Sequence, residues 1–311
     1  MLAFVIRRLL QTVPTVLAVV LLVFVLFSVV PGSIASSLND GGGAPADAQV
    51  VERMKKQLGL DDPVYIRFGA YIAKLATGDF GTSFRTREPV TTMLAKRMWP
   101  TLQLTFAAMA LAIAIGVPLG FVAALRPGSI VDTISMVVAV SGLSMPKFWL
   151  GLLLMYLFAL ILGWLPSFGY GDGGLKYLIL PAVTLGVSPM ALLARTTRAA
   201  VLEIMTADFV RTARSKGMSE TLVVKWHVMR NVLVLILTAI GLQFGALMGQ
   251  AVVVEKLFSW PGIGSLLVDS VLQRDIPAVQ GSILVVVLFF LTINMVIDLL
   301  YGVIDPRIRY A

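Results

Sequence analysis

The sequence predicts an all-α membrane protein with six transmembrane helices, and two observations lead to this prediction. The first is composition, because 58% of the 311 residues are apolar and only 14% are charged, whereas a soluble domain carries about 25% charged residues. The second is the length of the apolar stretches, since a helix needs about 20 apolar residues to cross a hydrocarbon core about 30 Å thick. A soluble protein of this size could not hide so much apolar surface from water.

Six apolar stretches reach that length. They are residues 9–30, 102–125, 133–162, 177–194, 232–254 and 279–304. The first resembles a signal peptide, but its apolar run exceeds the ~7–15 residues of a signal-peptide core, which favours a spanning helix. The third contains Pro146 and Lys147, which predict a kink or a later start. The fourth is short and contains Pro181 and Pro189, which membrane helices tolerate when neighbouring groups satisfy the freed carbonyls.

The basic residues indicate how the chain is oriented in the bilayer. The net charge is +8, from 25 Lys and Arg against 17 Asp and Glu, and taken alone it is compatible with a nucleic-acid partner. If the N-terminus is cytoplasmic, twelve of the 25 basic residues fall on inner segments and three on the two short outer loops. This asymmetry predicts that both termini are cytoplasmic and explains the excess charge without nucleic acid.

The residue inventory leaves little material for catalysis or metal binding. The chain has no cysteine, which excludes disulfides and cysteine nucleophiles, and His227 is its single histidine. We therefore expect no cofactor, no metal site and no catalytic residue on this chain.

The predicted organisation has three parts. Residues 1–30 form a cytoplasmic N-terminus and the first transmembrane helix, residues 31–100 form an extracytoplasmic helical segment, and residues 101–311 form a five-helix core with a loop at 195–231. In the extracytoplasmic segment, a first helical face is expected from Val50, Val51, Met54 and Leu58. A second face is expected from Phe68, Tyr71, Ile72 and Leu75. A short third helix is expected after Pro89.

The loop at 195–231 carries seven of the twelve inner basic residues. Thr206 or Asp208 is expected to cap a short helix by accepting a backbone N–H, and Gly217 is expected to end it in a left-handed conformation. Ser219 is expected to cap a second helix. Charge alone leaves two interpretations open, namely a solvated loop that fixes the topology or a docking element for a cytoplasmic partner.

This loop resembles the cytoplasmic loop of bacterial ABC importer permeases, usually written EAA-x3-G. Thr212, Ala213 and Gly217 match that pattern, while Arg211 stands where the consensus has Glu, and the later IxLP element is absent. Both departures are typical of the dipeptide/oligopeptide branch, whose loop reads D-[YF]-V-R-T-A-R-x-K-G and then H-x-x-R-N. This chain has DFVRTARSKG at residues 208–217 and HVMRN at residues 227–231.

Further motifs extend the resemblance along almost the whole chain. Residues 57–63 (QLGLDDP) and 78–83 (GDFGTS) resemble the outer segment of that branch. Residues 254–264 (VEKLFSWPGIG) resemble its outer loop before the last span, and residues 305–310 (DPRIRY) resemble its C-terminus. In this order the motifs are specific, and they resemble the B-type permease subunit of the dipeptide/oligopeptide (peptide/opine/nickel) ABC importers.

The resemblance implies a type I ABC importer permease fold in the bacterial cytoplasmic (inner) membrane, and a set of partners. These are a homologous second permease, two cytoplasmic ATPase subunits and an extracytoplasmic solute-binding protein. The chain contains no G-x-x-x-x-G-K-[ST] motif, so ATP and Mg are expected on the ATPase subunits. The implied cargo is a dipeptide, an oligopeptide or a glutathione-like molecule, and the alternative is nickel, an opine or another small solute.

The resemblance also makes the loop helix a coupling helix that docks on an ATPase. The residues assigned to this role are Asp208, Arg211, Thr212, Ala213, Arg214, Lys216 and Gly217. Its basic side chains would pair with acidic groups of the ATPase, and the small residues Ala213 and Gly217 would permit close approach.

Three polar residues inside the spans are candidates for the translocation pathway. Lys147 is either a cation that attracts a cargo carboxylate or a side chain that snorkels to the interface. Gln243 and Gln250 lie seven residues apart, roughly on one helix face, where they line the pathway or contact the second permease. A four-residue spacing that favours close helix packing is formed by Gly241, Gly245 and Gly249.

Two other functional classes fit the sequence less well. An ion-coupled secondary transporter often shows inverted repeats and intramembrane acids, whereas this sequence shows no repeat and has only Asp298 as an acid well inside a span. An intramembrane enzyme needs a nucleophile–base pair or a metal constellation, for which one histidine and no cysteine leave very little.

Overall fold

The structure, a computed structural model, describes residues 2–29 and 62–304. In these ranges the helices are α1 (Leu2–Val29), α2 (Val64–Ala76), α3 (Val90–Leu125), α4 (Ile130–Ser144), α5 (Lys147–Leu154), α6 (Leu175–Met205), α7 (Asp208–Ser215), α8 (Glu220–Leu222), α9 (Met229–Leu257), α10 (Ile263–Leu272) and α11 (Ile276–Ile304). A π-helical turn, Met155–Ile161, continues α5, and a second, Val223–Val228, joins α8 to α9. A short 3-10 turn, Gly171–Gly173, precedes α6.

The six predicted spans are all present as helix. By length and apolar composition, α1, α3, α6, the continuous helix Glu220–Leu257 and α11 can each cross a membrane, and the bent pair α4–α5 gives up to six spans when its two helices are taken together as one. The prediction of an all-α membrane protein with six transmembrane helices is therefore confirmed.

Several helices extend beyond the apolar stretches that predicted them. α6 continues to Met205, past the end of its apolar stretch at residue 194, and the loop at 195–231 is correspondingly shorter than expected. The short helix expected after Pro89 is instead the start of α3, which runs for 36 residues into the second span. The backbone hydrogen bonds of a helix form whether its side chains are polar or apolar. An apolar stretch therefore marks the part of a helix that crosses the bilayer, and the helix itself can extend further.

The kink predicted from Pro146 is a sharp break. α4 ends at Ser144 and α5 begins at Lys147, and the two helices are bent by 108°. Met145 is extended, with φ −78° and ψ 127°, because the ring of a following proline disfavours helical backbone at the residue before it. Lys147 is therefore the first residue of a new helix and not an interior residue of a long one.

The chain divides into two compact units. The first consists of Met1–Phe4, Leu102–Trp260 and Thr292–Ala311, and the second consists of Val5–Thr101 and Pro261–Leu291. The main core of the first unit collects side chains from α3, α6, α9 and the turn after α9, including Leu104, Met109, Leu185, Leu193, Leu247 and Trp260.

Glycines bring α3 and α6 of the first unit into direct backbone contact. A β-carbon at Gly116 or Gly120 of α3 would overlap the carbonyl oxygen of Met190 or Ala194 of α6, respectively. In the other direction, a β-carbon at Gly186 would lie 2.8 Å from the carbonyl oxygen of Ala108. Small residues allow membrane helices to gain close van der Waals contact, so this helix pair depends on residues that lack a side chain.

The glycine pattern on α9 serves packing only in part. A β-carbon at Gly241 would lie 2.6 Å from the side chain of Ile297, whereas one at Gly249 would meet nothing within 4 Å. Gly245 is buried. The four-residue spacing predicts a single packing face, and Gly249 does not belong to it because no element among the described residues covers that part of α9.

In the second unit, α2 lies against α1. The predicted face of Phe68, Tyr71, Ile72 and Leu75 packs beside Val20 and Val23, and the rings of Phe24 and Phe68 are 5.1 Å apart. This second helical face is therefore confirmed. The first face, at Val50 to Leu58, lies outside the described residues, as do residues 57–61 of the QLGLDDP motif and the C-terminal DPRIRY motif.

A buried carboxylate holds the GDFGTS turn of the second unit. Asp275, which is 2% exposed, accepts a hydrogen bond from the Ser83 hydroxyl and another from the Phe84 N–H at 3.0 Å. The motif therefore has a structural role, because it ties the segment before α3 to the connection between α10 and α11.

Replacing Gly120 and Gly249 separately by alanine tests the α3–α6 contact. Both changes raise helix propensity by about 1 kcal/mol. A difference between the stabilities of the two variants therefore reports on the space around each glycine. We expect Gly120→Ala to lower the midpoint of thermal unfolding in detergent, because overpacking costs ~1–3 kcal/mol, and Gly249→Ala to leave it unchanged or raise it. Tryptophan fluorescence measures both midpoints, and equal midpoints for the two variants would contradict the described packing.

Candidate coupling loop and intramembrane polar site

The ends of the short helix α7 are set by backbone geometry. Ala207 precedes it in extended conformation, with φ −67° and ψ 148°. At its other end Gly217 has a φ of +77°, and the N–H groups of Gly217 and Met218 donate to the carbonyls of Arg214 and Ala213 at 2.9 and 3.4 Å. These two bonds form a Schellman motif, so the prediction that Gly217 ends the helix is confirmed.

The predicted N-terminal caps of α7 are wrong. Ala207 occupies the cap position, and no side chain there accepts a backbone N–H. Thr206 belongs to the end of α6, where its hydroxyl donates to the Glu203 carbonyl at 2.8 Å, and Asp208 is already inside α7. Only two residues separate α6 from α7, and the one in the cap position, Ala207, has no side-chain oxygen to accept a backbone N–H. Ser219 does take the predicted cap position of α8, although without a side-chain hydrogen bond.

One face of α7 is buried in a cluster that ties it to the spans. Val210 is fully buried, and Ala213 is 5% exposed. This loop cluster consists of Ala124, Ala200, Val201, Val210, Ala213, Val223, Val228, Val232 and Ile236. Its members come from α3, α6, α7, the second π turn and α9. Because packed interiors resist compression, these elements have to share any displacement of α7, and the small side chain of Ala213 serves this internal packing.

The opposite face of α7 is exposed and largely polar. Arg211 and Asp208 have nearly fully exposed side chains, and their contact at 4.0 Å contributes little to stability at such a surface. Thr212 and Lys216 are also exposed, and Phe209 presents a ring that is 44% exposed. Phe209 escapes the sequence analysis, although an aromatic residue on the polar side of a short amphipathic helix is a recognisable indication of a contact surface.

Arg214 has an acidic partner within the loop. Its Nε donates to Oε2 of Glu220 at 3.1 Å, and its Nη2 donates to Oε1 at 2.6 Å. A further, longer bond reaches the Met205 carbonyl at 3.4 Å. The loop motif predicts that Arg214 contacts the ATPase, and in the structure this guanidinium bridges the Gly217 turn. Glu220 is a residue that the loop motif does not reveal.

Inside the spans, the structure brings Lys147 and Gln250 together. The Lys147 amine at the start of α5 donates to Oε1 of Gln250 on α9. Gln243, two turns earlier on α9, is half-buried and takes no part in this contact. The break between α4 and α5 borders an open recess of about 550 Å³, which is lined by Ser141, Ser144, Met145, Pro146, Phe148 and Trp149.

A second charged pair in the same unit escapes the sequence analysis. Asp132, which is 4% exposed, accepts two hydrogen bonds from Arg198 at 2.5 and 2.8 Å. It also accepts the Gly128 N–H at 2.9 Å. A bidentate guanidinium–carboxylate pair holds its two side chains in a defined geometry as well as pairing their charges. This pair therefore ties the start of α4 to α6.

Two family models together match nearly the whole chain. Residues 1–105 match the N-terminal model of binding-protein-dependent transport system membrane components. Residues 116–310 match the model described as binding-protein-dependent transport system inner membrane component.

Curated relatives match over the full length. The chain is 47% identical over 310 residues to the glutathione transport system permease protein GsiC of Escherichia coli strain K12, and the alignment covers 100% of both chains. The glutathione transport system permease protein of Shigella dysenteriae serotype 1 gives the same identity and coverage.

Solved structures share the fold. The inward-facing MetNI methionine ABC transporter has a TM-score of 0.58 and 21% identity, covering 68% of this chain and 96% of that one. The crystal structure of an amino acid ABC transporter with histidines has a TM-score of 0.54 and 19% identity, covering 68% and 94%. These likenesses bear on the fold, and they confirm the predicted type I ABC importer permease architecture.

The family matches, the full-length identity and the shared fold agree with the six spans and the loop motif. The chain is a transport component and a multi-pass inner membrane protein, and it belongs to the family of binding-protein-dependent transport system inner membrane components.

Proposed function

We propose that this chain is the permease subunit of an ATP-driven importer for small peptides, with glutathione as a representative cargo. The observation that carries the proposal is the two-sided helix α7, which exposes a polar face while its other face packs in the loop cluster. The 47% identity to glutathione permeases supports the cargo class.

The other components follow from the same proposal. Both termini lie in the cytoplasm, in keeping with the excess of basic residues on the inner segments, and α7 then lies at the cytoplasmic surface. Two ATPase subunits bind there and hold ATP and Mg. A homologous second permease completes the pathway, and a solute-binding protein delivers cargo from outside.

In this assembly α7 acts as the coupling helix. Arg211 and Lys216 pair with acidic groups of the ATPase, which favours the correct docking orientation, and Phe209 enters an apolar pocket between them. Asp208 and Thr212 complete the contact surface. When the ATPases close on ATP they displace α7, and the loop cluster transmits this displacement to α3, α6 and α9.

The remaining loop residues keep α7 in position. Gly217 permits the Schellman turn, Arg214 braces that turn through Glu220, and Ala213 fits into the loop cluster. These three residues act on docking through the geometry of α7 and not through contact with the ATPase.

The translocation pathway runs along α9. Lys147, Gln243 and Gln250 lie on it or against it, and the exposed side of α9 near Gln250 also carries small residues, Ala246 and Gly249. The exposed amide of Gln250 beside these small residues suits a polar route between two permeases, while the apolar side chains of Leu242 and Val253 are exposed before and after it in the helix.

Reconstitution of the full importer tests the proposed function directly. We expect proteoliposomes that contain this chain, the second permease, the ATPases and the solute-binding protein to accumulate radiolabelled glutathione when ATP is supplied on the ATPase side. Uptake should stop when a non-hydrolysable ATP analogue replaces ATP. Accumulation driven by a proton gradient without ATP would contradict the proposal.

Replacing Gly217 by valine tests the coupling turn. No atom lies within 4 Å of a β-carbon at Gly217, so the effect comes from its φ of +77°, which costs a side-chain-bearing residue about 1–2 kcal/mol. We expect Gly217→Val to reduce both co-purification of the ATPases and ATP-dependent uptake. Gly217→Asn is the matched control, because asparagine tolerates left-handed backbone. Unchanged ATPase association in Gly217→Val would count against the coupling role.

A double-mutant cycle tests the internal bridge between Arg214 and Glu220. If Arg214 acts through Glu220, then Arg214→Gln, Glu220→Gln and the double variant should share one modest uptake defect. An exposed pair contributes ~0.2–1 kcal/mol, so we expect a loss below about tenfold. If Arg214→Gln alone weakens ATPase binding and Glu220→Gln has no effect, Arg214 contacts the ATPase instead.

A further inference from the structure

Lys147 places an amine inside the third span, at the point where α4 and α5 separate. Ionisable side chains within membrane spans are costly, and they mark substrate pathways when they face a cavity or a polar partner. A snorkelling lysine keeps its charged head in water. The Lys147 amine is instead directed to the neighbouring helix α9, where it contacts Gln250.

The partner of Lys147 is neutral. Gln250 offers its amide oxygen to the amine, and among the residues that the structure describes this is the polar contact that Lys147 makes. An ammonium group carries three N–H donors, so two remain for another acceptor. The amide oxygen of Gln250 faces Lys147, and its NH2 group also remains to donate. Together the two side chains offer a positive charge and several hydrogen-bond donors.

Open space lies beside this pair. Gln250 is exposed, and a β-carbon at the adjacent Gly249 would meet no atom within 4 Å. The pair lies seven residues before Leu257, where α9 ends, which is about 10 Å along the helix axis. In the proposed orientation, this is the outer part of the span, where cargo enters from the solute-binding protein.

The pair Asp132–Arg198 provides the comparison within the same unit. There a guanidinium is matched by a buried carboxylate that also accepts a backbone N–H, and the arrangement is complete without a ligand. At Lys147 the partner that the described residues supply is an amide dipole. A carboxylate supplied from outside the chain would complete this second site in the way that Asp132 completes the first.

We infer that Lys147 and Gln250 form a binding site for a carboxylate group of the cargo. One carboxylate oxygen accepts from the Lys147 ammonium, and the other accepts from the Gln250 amide. The inference rests on the proposed function and narrows it, because it makes this permease selective for peptides with a free carboxylate. Neutral amides of the same peptides should pass less readily.

The experiment compares glutathione with its diamide in the reconstituted importer. The same solute-binding protein serves every permease variant, so its own preference cancels when each variant is compared with wild type. We expect wild type to import glutathione with a KM lower than that of the diamide. Lys147→Met should raise the glutathione KM by about tenfold or more, the size expected from losing a hydrogen bond to a charged group, while diamide uptake stays unchanged.

Further variants separate charge recognition from packing. Lys147→Arg should keep the preference for glutathione. Gln250→Glu should abolish this preference, because the glutamate carboxylate would then pair with the Lys147 ammonium in place of the cargo carboxylate. Lys176→Met is the matched control, since Lys176 is exposed at the start of α6, and it should leave both KM values unchanged.

The outcomes distinguish this inference from the proposed function. If Lys147→Met lowers uptake of glutathione and its diamide equally, the lysine only packs α5 against α9, and the inference is overturned. It is also overturned if the preference for glutathione survives in Lys147→Met. If wild type imports neither compound with ATP, the proposed function fails, and this inference fails with it.

Discussion

Inside a hydrocarbon core the backbone finds no water, so its N–H and C=O groups have to be paired within the protein. This constraint accounts for the long helices and makes each interruption of a helix costly unless other contacts compensate. The chain breaks its third span at Met145 and Pro146 and departs from regular α-helix at Met155–Ile161 and Val223–Val228. Two of these departures lie beside the features to which we assign function, because Lys147 follows the break and the second π turn packs with α7 in the loop cluster.

The coupling loop divides its residues between two tasks. Buried side chains such as Val210 and Ala213 connect α7 to the spans through close packing, which resists compression. Exposed side chains such as Phe209 and Arg211 are available to a partner. Arg214 belongs to neither group, because it braces the turn internally. In the proposed coupling role, α7 would transmit a displacement because one of its faces packs against the spans and the other is exposed to a partner.

The charged groups of the first unit differ in how completely they are matched. Asp132 and Arg198 satisfy each other with two-pronged geometry, which suits a permanent tie between helices. Within the described parts of the chain, the amine of Lys147 contacts an amide oxygen and no carboxylate. In a medium that penalises unpaired charge, the first arrangement is complete and the second is suited to a transient anionic ligand.

Local features of the sequence were sufficient to determine the all-α class, the six spans, the break at Pro146 and the end of the loop helix at Gly217. Each depends on composition over one stretch or on the backbone preference of one residue. Only the tertiary structure decided that Ala213 faces the loop cluster, that Gly120 and not Gly249 lies against a neighbouring helix, and that Lys147 meets Gln250. The physical reason is that spacing along one helix specifies which residues share a face, whereas the neighbour of that face comes from a distant part of the chain.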